Sequence, residues 1–523
     1  MKKLSLNLLL GLLSMPGLLA QAPTWSEDVA PIVYNNCTKC HNSNGIAPMP
    51  FESYQNAYDF SAQIKVAVVT REMPPWPPDR NYRGFAHERT LTPQQIQTIS
   101  DWVDAGSPEG DPALAPPVPN FGDGAELQTF DLELKMADYL VNTNYDLYRC
   151  FVIPSGLLQE RYIKDIEVIP GNRAIVHHVL VFQDPSSVPV TLDNNDPGPG
   201  YTSFGSTGSN NSKLIAGWVP GGRAFYFPSQ MGVKLDANTN IVLQVHYPGG
   251  TYNQTDSTKV RIRFHPGTVR PLEVNPPLNH FDLINGPLVI PANQTKWFYA
   301  QYQVPAQYNV SVLNVAPHMH LIGKKIKVYG VTTSADTIPL IKIDDWDFHW
   351  QGFYAFKNVL KIPAGTTLHA EAWYDNTTAN HDNPSSPPQT VTAGEGTTDE
   401  MMLVYFTYTL YLPGDENISQ ETAPTTGVDE SEAAGLISGM QMYDLYPNPA
   451  GTEINVAYAL PSSGLLQYRI YDLSGKAVLN GSYNATGGGL LTQKIQVEAL
   501  QPGTYIITSE HKGVVKSRKF IKQ

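Results

Sequence analysis

Apolar positions recur along this chain in three rhythms. Between about 120 and 415 they form short runs, alternating or wholly apolar, separated by Gly, Pro, Asn and Asp. This predicts short β-strands joined by turns. Ile175 to Phe182, Asn240 to Tyr247 and Met402 to Leu410 are three such strands. Alternation returns beyond about 440, whereas Pro93 to Val103 has the spacing of a helix. Leu4 to Leu13 is unbroken and apolar, and it follows Lys2 and Lys3. A basic start, an apolar stretch and a small-residue end at Ala20 or Ala22 make a signal peptide. Pro23 disfavours cleavage after Ala22, so residues 1–20 are expected to be removed on export.

Composition narrows the class. The chain has 523 residues, only 16% of them charged, with 41 Gly, 43 Pro and 28 Tyr. Such a mixture favours β-sandwiches over coiled coils and helix bundles, and the length implies three or four domains. A formal net charge of −13 excludes a protein that coats nucleic acid. No other apolar run approaches a membrane span, so no transmembrane segment is expected in the mature chain. The exported chain has only three cysteines, Cys37, Cys40 and Cys150. Its domains are therefore held by cores, or the cysteines have other work.

Cys37-Thr38-Lys39-Cys40-His41 has the C-x-x-C-H form of a covalent haem c site. Two thiols one helical turn apart can add to the haem vinyl groups, and His41 follows as an iron ligand. A redox dithiol or a zinc knuckle are the alternatives, but no second cysteine pair is present to complete a zinc site. For the opposite iron face Met73 is the expected ligand, because Pro74 and Pro75 stiffen the loop that carries it. Met49 and His87 are the other candidates. Residues 24–112 resemble a small bacterial cytochrome c module, and Ala113 to Pro119 is a Pro-rich linker.

In the strand-rich region the His and Met residues form a pattern. His177 and His178 are adjacent, His246 lies in Gln244-Val245-His246-Tyr247, and His318-Met319-His320 sets two imidazoles two residues apart. Met401 follows Asp399 and Glu400. A lone strand histidine is usually structural, and neighbours in a regular strand point to opposite faces. His177 and His178 can share a metal only where the strand bends or ends. Together, five imidazoles and a thioether suit copper, the thioether favouring its cuprous state.

These residues resemble those of the copper type II ascorbate-dependent monooxygenases. The likeness runs through Val176-His177-His178-Val179-Leu180, Trp218-Val219-Pro220-Gly221-Gly222 and Gln244-Val245-His246-Tyr247. It continues in His318-Met319-His320-Leu321-Ile322-Gly323, Trp346-Asp347-Phe348-His349-Trp350-Gln351 and Thr398-Asp399-Glu400-Met401. It implies two jelly-roll-like sandwiches, at 121–275 and 276–415, each lending one copper site to the cleft between them. It also implies that His177, His178 and His246 hold an electron-storing copper. His318, His320 and Met401 would hold the copper that meets dioxygen, with Met402 the neighbour to be distinguished. Gln244 would orient a ligand or water from nearby, or simply face solvent. Tyr405 would anchor substrate or fill core. Ala316 stands where the peptide-hydroxylating relatives need a cation, which argues against a peptide carboxylate as substrate. His349 stands where asparagine is expected, and Cys150 is either buried and inert or a free thiol.

From Pro413 to about Met440 the chain is acidic and small, an expected solvated linker assigned to 416–440. Residues 441–523 resemble the sorting domain of type IX secretion, an Ig-like sandwich; a carbohydrate-binding or adhesive β-domain is the alternative.

The expected protein is mainly β and multidomain, with a small α-helical cytochrome c domain, two jelly-roll-like sandwiches and the tail. It would carry two copper ions and one covalent haem c. It would hydroxylate a small organic molecule with dioxygen, using ascorbate or a redox protein as reductant. It would be exported by its signal peptide, then secreted or held at the cell surface through the type IX machinery. The rival reading is a non-catalytic haem and copper electron carrier.

Overall fold

The computed structural model describes residues 22–421 except 44, 46 and 120–124. It also describes 440–523 except 443, 444, 446, 447, 461, 462, 473, 474 and 486–488. The expected signal peptide and most of the expected linker lie outside the described residues. Two units are present, 1–423 and 424–523. No described helix is long and apolar enough to cross a membrane.

The first unit begins with helices. Trp25–Val29 runs into Ala30–Asn36, and Tyr54–Asp59, Ser61–Val69 and Pro93–Asp104 follow. The last of these starts with a capping box, in which Thr92 and Gln95 satisfy each other's backbone N–H. Trp25, Val33, Ile99 and Trp102 centre the core of this module.

The module does not stop at its own core. Phe85, 1% exposed, belongs to the core of the following β region, and Trp76 packs against that core. Pro78 and Phe85 make bridges to Ile343 and Phe356, and the Ala86 N–H donates to the Ala355 carbonyl at 2.8 Å. The expected module at 24–112 thus also packs on the region that follows it. Residues 76–89 form a strap that buries its aromatic rings in the neighbouring sandwich.

The β region has two cores. In the first, a five-stranded sheet centred on Asn240–Tyr247, between Leu147–Pro154 and His178–Asp184, covers one end of a nine-stranded sheet. In the second, a four-stranded sheet, ordered Gln294–Gln303, Thr367–Asn376, Gly323–Val331, Thr337–Ile343, covers the other end. The large sheet runs through both. Its strand Arg270–Asn279 starts parallel to Met231–Leu235 and ends antiparallel to Leu403–Leu410. The expected division after residue 275 therefore falls inside a shared strand. Pro276 and Pro277 suggest a break, but the ladder shifts register between Asn275 and Leu278 and so loses no N–H bond to them.

The expected solvated segment from Pro413 also needs correction at its start. Asp415 is 4% exposed, pairs with Arg270 at 2.6 Å and accepts from Ser311. Gln420 donates to the carbonyls of Leu313 and Phe356. Polar residues here satisfy buried groups rather than water.

The second unit is a separate β-sandwich. Sheets of three and four strands, the latter including Gly503–His511 and Val514–Lys522, enclose Ile454, Tyr458, Ile470 and Phe520.

Candidate metal centres

The strand expected over Ile175 to Phe182 begins instead at His178. Asn172 accepts from the N–H groups of Ile175 and Val176, making a turn, and the His177 N–H donates to the His246 carbonyl at 2.9 Å. The regular strand starts only after His177, so the rule that strand neighbours diverge does not apply to this pair. His178 and His246 are direct partners across the ladder. Candidate ligand atoms of His177, His178 and His246 lie within 4.8 Å of one another.

These three imidazoles fit a metal. Nε2 of His177 and both ring nitrogens of His246 are buried without a hydrogen-bond partner. Burial and the neighbouring imidazoles lower the His177 ring to about 3 and His178 well below its ordinary value. His177 and His178 stand neutral, their Nδ1 atoms 3.2 Å apart, and ring nitrogens that converge in this way suit a bound cation. Tyr148 stacks on His246 at 4.3 Å. Asp146, which the motif search missed, lies 3.4 Å from His246 Nε2. Burial acts to raise its carboxyl, but His246 and Thr397 outweigh this and hold it well below the usual carboxylate range.

The second group is built at the end of another ladder. Strand Val310–His318 pairs with Leu403–Leu410 so that His318 faces Leu403 and Ala316 faces Tyr405. Continuing this register brings Met401 level with His320. Met402, Val404 and Phe406 belong to the core. Met401 and Tyr405 alternate with them and therefore share the face of His318. The His318 and His320 rings stand 5.1 Å apart and nearly perpendicular. His318 Nδ1 meets Gln351 Oε1 at 2.5 Å, and His320 Nδ1 meets the Asp399 carbonyl at 3.1 Å. Both Nδ1 atoms are thus engaged and both Nε2 atoms are left for a metal. Burial lowers the two rings to about 3 and about 4.

Glu400 ties this group together, a role that the Asp-Glu-Met pattern did not disclose. Fully buried, it accepts N–H bonds from His320, Ile322, Gly323 and Met401 at 2.9–3.1 Å. The Tyr374 hydroxyl donates to the Met401 carbonyl at 2.8 Å.

Phe348 stands between the groups. Its ring stacks on His177 at 4.6 Å and meets His320 edge-on at 5.6 Å. Thr397 donates to Asp146 and Tyr148 to the Glu395 carbonyl, so the loop leading to Met401 is tied to the first group as well.

The remaining expectations resolve as follows. Gln244 is 2% exposed and donates to the Ser203 and Ser206 carbonyls. It holds that loop and neither faces solvent nor touches an imidazole. Tyr405 is half-buried, with its hydroxyl pushed up by burial and then by Glu395. Exposed His349 pairs with Asp347 at 3.0 Å, outside both groups. Cys150 is fully buried, its thiol pushed up to about 12, the inert alternative.

In the helical module Cys37 and Cys40 are free, and burial raises Cys37 to about 12. His41 Nδ1 meets the Met49 carbonyl at 2.8 Å. His87 lies in the strap, near Arg223, Gln420 and Glu126, and Glu126 pairs with Lys39 of this loop.

Family models agree with this reading of the β region. The model described as copper type II ascorbate-dependent monooxygenase, N-terminal domain, matches residues 132–253, and its C-terminal counterpart matches 283–428. A secretion system C-terminal sorting domain matches 444–523. Dopamine beta-hydroxylase of Rattus norvegicus is 24% identical over 301 residues, 54% of this chain and 46% of the relative. Tyramine beta-hydroxylase of Caenorhabditis briggsae is 23% identical over 253 residues, 46% of this chain and 41% of the relative. The chain spans about half the length of the curated relatives it matches. A solved beta-glucuronidase of Faecalibacterium prausnitzii aligns over 44% of this chain and 37% of its own at a TM-score of 0.12 and 12% identity, too weak to carry an argument. By domain content the chain matches both domain models of the copper type II ascorbate-dependent monooxygenases and, at 444–523, the model of a secretion-system sorting domain.

Proposed function

We propose that this exported enzyme hydroxylates a C–H bond of a small organic substrate, with electrons arriving through a haem c bound by the helical module. The observation that carries the reading is the pair of unlike ligand groups facing each other across Phe348. One has three converging imidazoles; the other has two imidazoles with free Nε2 atoms and Met401 on the same face.

The overall change is R–H + O₂ + 2 e⁻ + 2 H⁺ → R–OH + H₂O. His318, His320 and Met401 would hold the copper that supplies the dioxygen chemistry, and His177, His178 and His246 would hold the one that supplies the second electron. The protein's own contribution is positional. Gln351 and the Asp399 carbonyl fix the two ring orientations, and Glu400 fixes the backbone of His320 and Met401. Tyr405, on the His318 face, is the hydroxyl we assign to substrate. Ala316 leaves no cation there for a carboxylate, in keeping with a substrate other than a glycine-extended peptide.

Covalent attachment at Cys37 and Cys40 with His41 as ligand supports the haem reading, because the Met49 carbonyl aligns His41 as a metal-binding imidazole is usually aligned. The Met49 backbone is thereby committed to the His41 side, which leaves Met73 for the opposite face. Residues 1–20 and the sorting domain support export through the inner membrane and then type IX secretion.

Incubation of purified protein with ¹⁸O₂, ascorbate and a panel of phenylethylamines, phenols and alkyl amines tests the reading. One labelled oxygen in product, dependent on copper, is expected. Reduction of haem and copper without product from any member, and without substrate-dependent dioxygen uptake, would favour the electron carrier.

A further inference from the structure

The strap that joins the helical module to the β region closes over a cavity of about 230 Å³. Trp76, Arg89, Asn314 and Tyr354 line it. Each of these four carries a buried polar atom with no hydrogen-bond partner: Trp76 Nε1, Arg89 Nε, Asn314 Oδ1 and the Tyr354 hydroxyl. Native proteins leave few such atoms unpaired, and four around one cavity mark a place built for a ligand. Tyr354 and Asn314 are 3% and 5% exposed, so water outside the cavity does not serve them.

The donors are held in place. The Trp76 and Tyr354 rings meet edge to face at 5.4 Å. Arg89 lies over Trp76, its Cζ 5.9 Å from the ring, and its Nη1 donates to the Gly221 carbonyl at 2.8 Å. Gly221 has φ +74°, and a Cβ there would lie 2.8 Å from Arg89 Nη1. The Pro220-Gly221-Gly222 turn is therefore a seat for this arginine. No described acid lies within ion-pair distance of Arg89, so the cavity holds an unneutralised cation beside an indole N–H and a phenol O–H. Phe225 and Phe353 form its apolar wall.

We propose that this cavity binds a carboxylate carried on an apolar stem. The cation and two neutral donors match one carboxylate, and the aromatic wall matches a hydrocarbon stem. Two sources share this chemistry. One is a carboxylate arm of the haem, on the reading that Cys37 and Cys40 bind it. Lys39, between those cysteines, pairs with Glu126, which pairs in turn with Arg223 at the cavity wall. The other is a free organic acid. In either case the site joins the module to the second metal group, because Gln351, which holds His318, also lines the cavity.

Calorimetric titration with butanoate, on full-length protein made with and without haem c maturation, tests this. Trp76→Phe and Tyr354→Phe keep the rings and remove one donor each. If the haem supplies the carboxylate, only the haem-free protein binds butanoate, and both variants shift the haem reduction potential of the loaded protein without changing its axial-ligand spectrum. If a free acid is the ligand, the loaded protein binds butanoate and each variant weakens binding by roughly tenfold, the loss of one hydrogen bond to a charged group. No butanoate binding by either form, with an unchanged haem potential in both variants, overturns the proposal. Absence of covalent haem after maturation defeats the haem reading alone, since the butanoate titration still decides the site.

Discussion

Replacing Glu400 by glutamine tests how the second metal group is held. The side chain keeps its size, but one oxygen becomes an NH₂. Oε1 now accepts from Ile322 and Gly323, and Oε2 from His320 and Met401. Whichever oxygen is lost, two buried N–H groups face another donor. Each buried group left unpaired costs about 1–3 kcal/mol, so the change should destabilise this region by about 2–6 kcal/mol. The carboxyl carries a pH signature too. Burial pushes it up from 4.5 to about 8, against the pull of the four N–H groups. Between those values the folded state keeps a proton that the unfolded state has lost. Glu400's contribution to stability should therefore fall as pH rises through this window and level off above it, on top of the rise below about 6.5 that the neutral buried histidines contribute; the variant lacks the Glu400 component. Denaturant unfolding of copper-free protein, followed by tryptophan fluorescence at pH 9 and across pH 5–9, measures both effects. Glu395, pushed up to about 7 by burial and then Asp399, adds its own falling component below that pH, so Glu395→Gln serves as the comparison whose slope change ends near pH 7. A loss below about 1 kcal/mol at pH 9, or an unchanged pH slope, would refute the reasoning.

Three further outcomes follow. Cys37→Ala with Cys40→Ala should lose haem that in the parent survives denaturation, while the copper region stays folded by circular dichroism; haem extracted from the parent by acid and solvent would contradict this. Met73→Ala should change the haem spectrum, and a change confined to Met49→Ala would move the ligand assignment. Phe348→Ala, at a ring 8% exposed between the metal groups, should cost about 3–5 kcal/mol and slow single-turnover electron transfer between the coppers; an unchanged rate would remove Phe348 from the path.

Much of the strand pattern was legible in the sequence because a strand buried on both faces shows as an unbroken apolar run. Asn240–Tyr247 has the expected bounds. The histidine and methionine positions were legible as chemistry, since six metal-binding side chains in short motifs are hard to explain otherwise. What escaped were contacts with no local rhythm. Phe348 meets histidines on two distant segments, Asp146 approaches His246 across a hundred residues, and Glu400 caps N–H groups some eighty residues earlier. The turn at Asn172 was hidden because Ile175 and Val176 continue the apolar pattern through the bend. The shared strand Arg270–Asn279 was hidden by its prolines, and the strap was hidden because Trp76 and Phe85 leave their own module's core for another's.

The central claim is that one chain holds two coppers in unlike sites, one of them with sulfur from Met401. Metal analysis with copper X-ray absorption on reduced protein measures this directly. The account predicts two coppers per chain and a sulfur scatterer that disappears in Met401→Ala. In Met402→Ala the scatterer should remain, at a packing cost of about 2–5 kcal/mol for a core methionine. One copper or none with all six residues intact, or a sulfur signal that follows Met402, would contradict it.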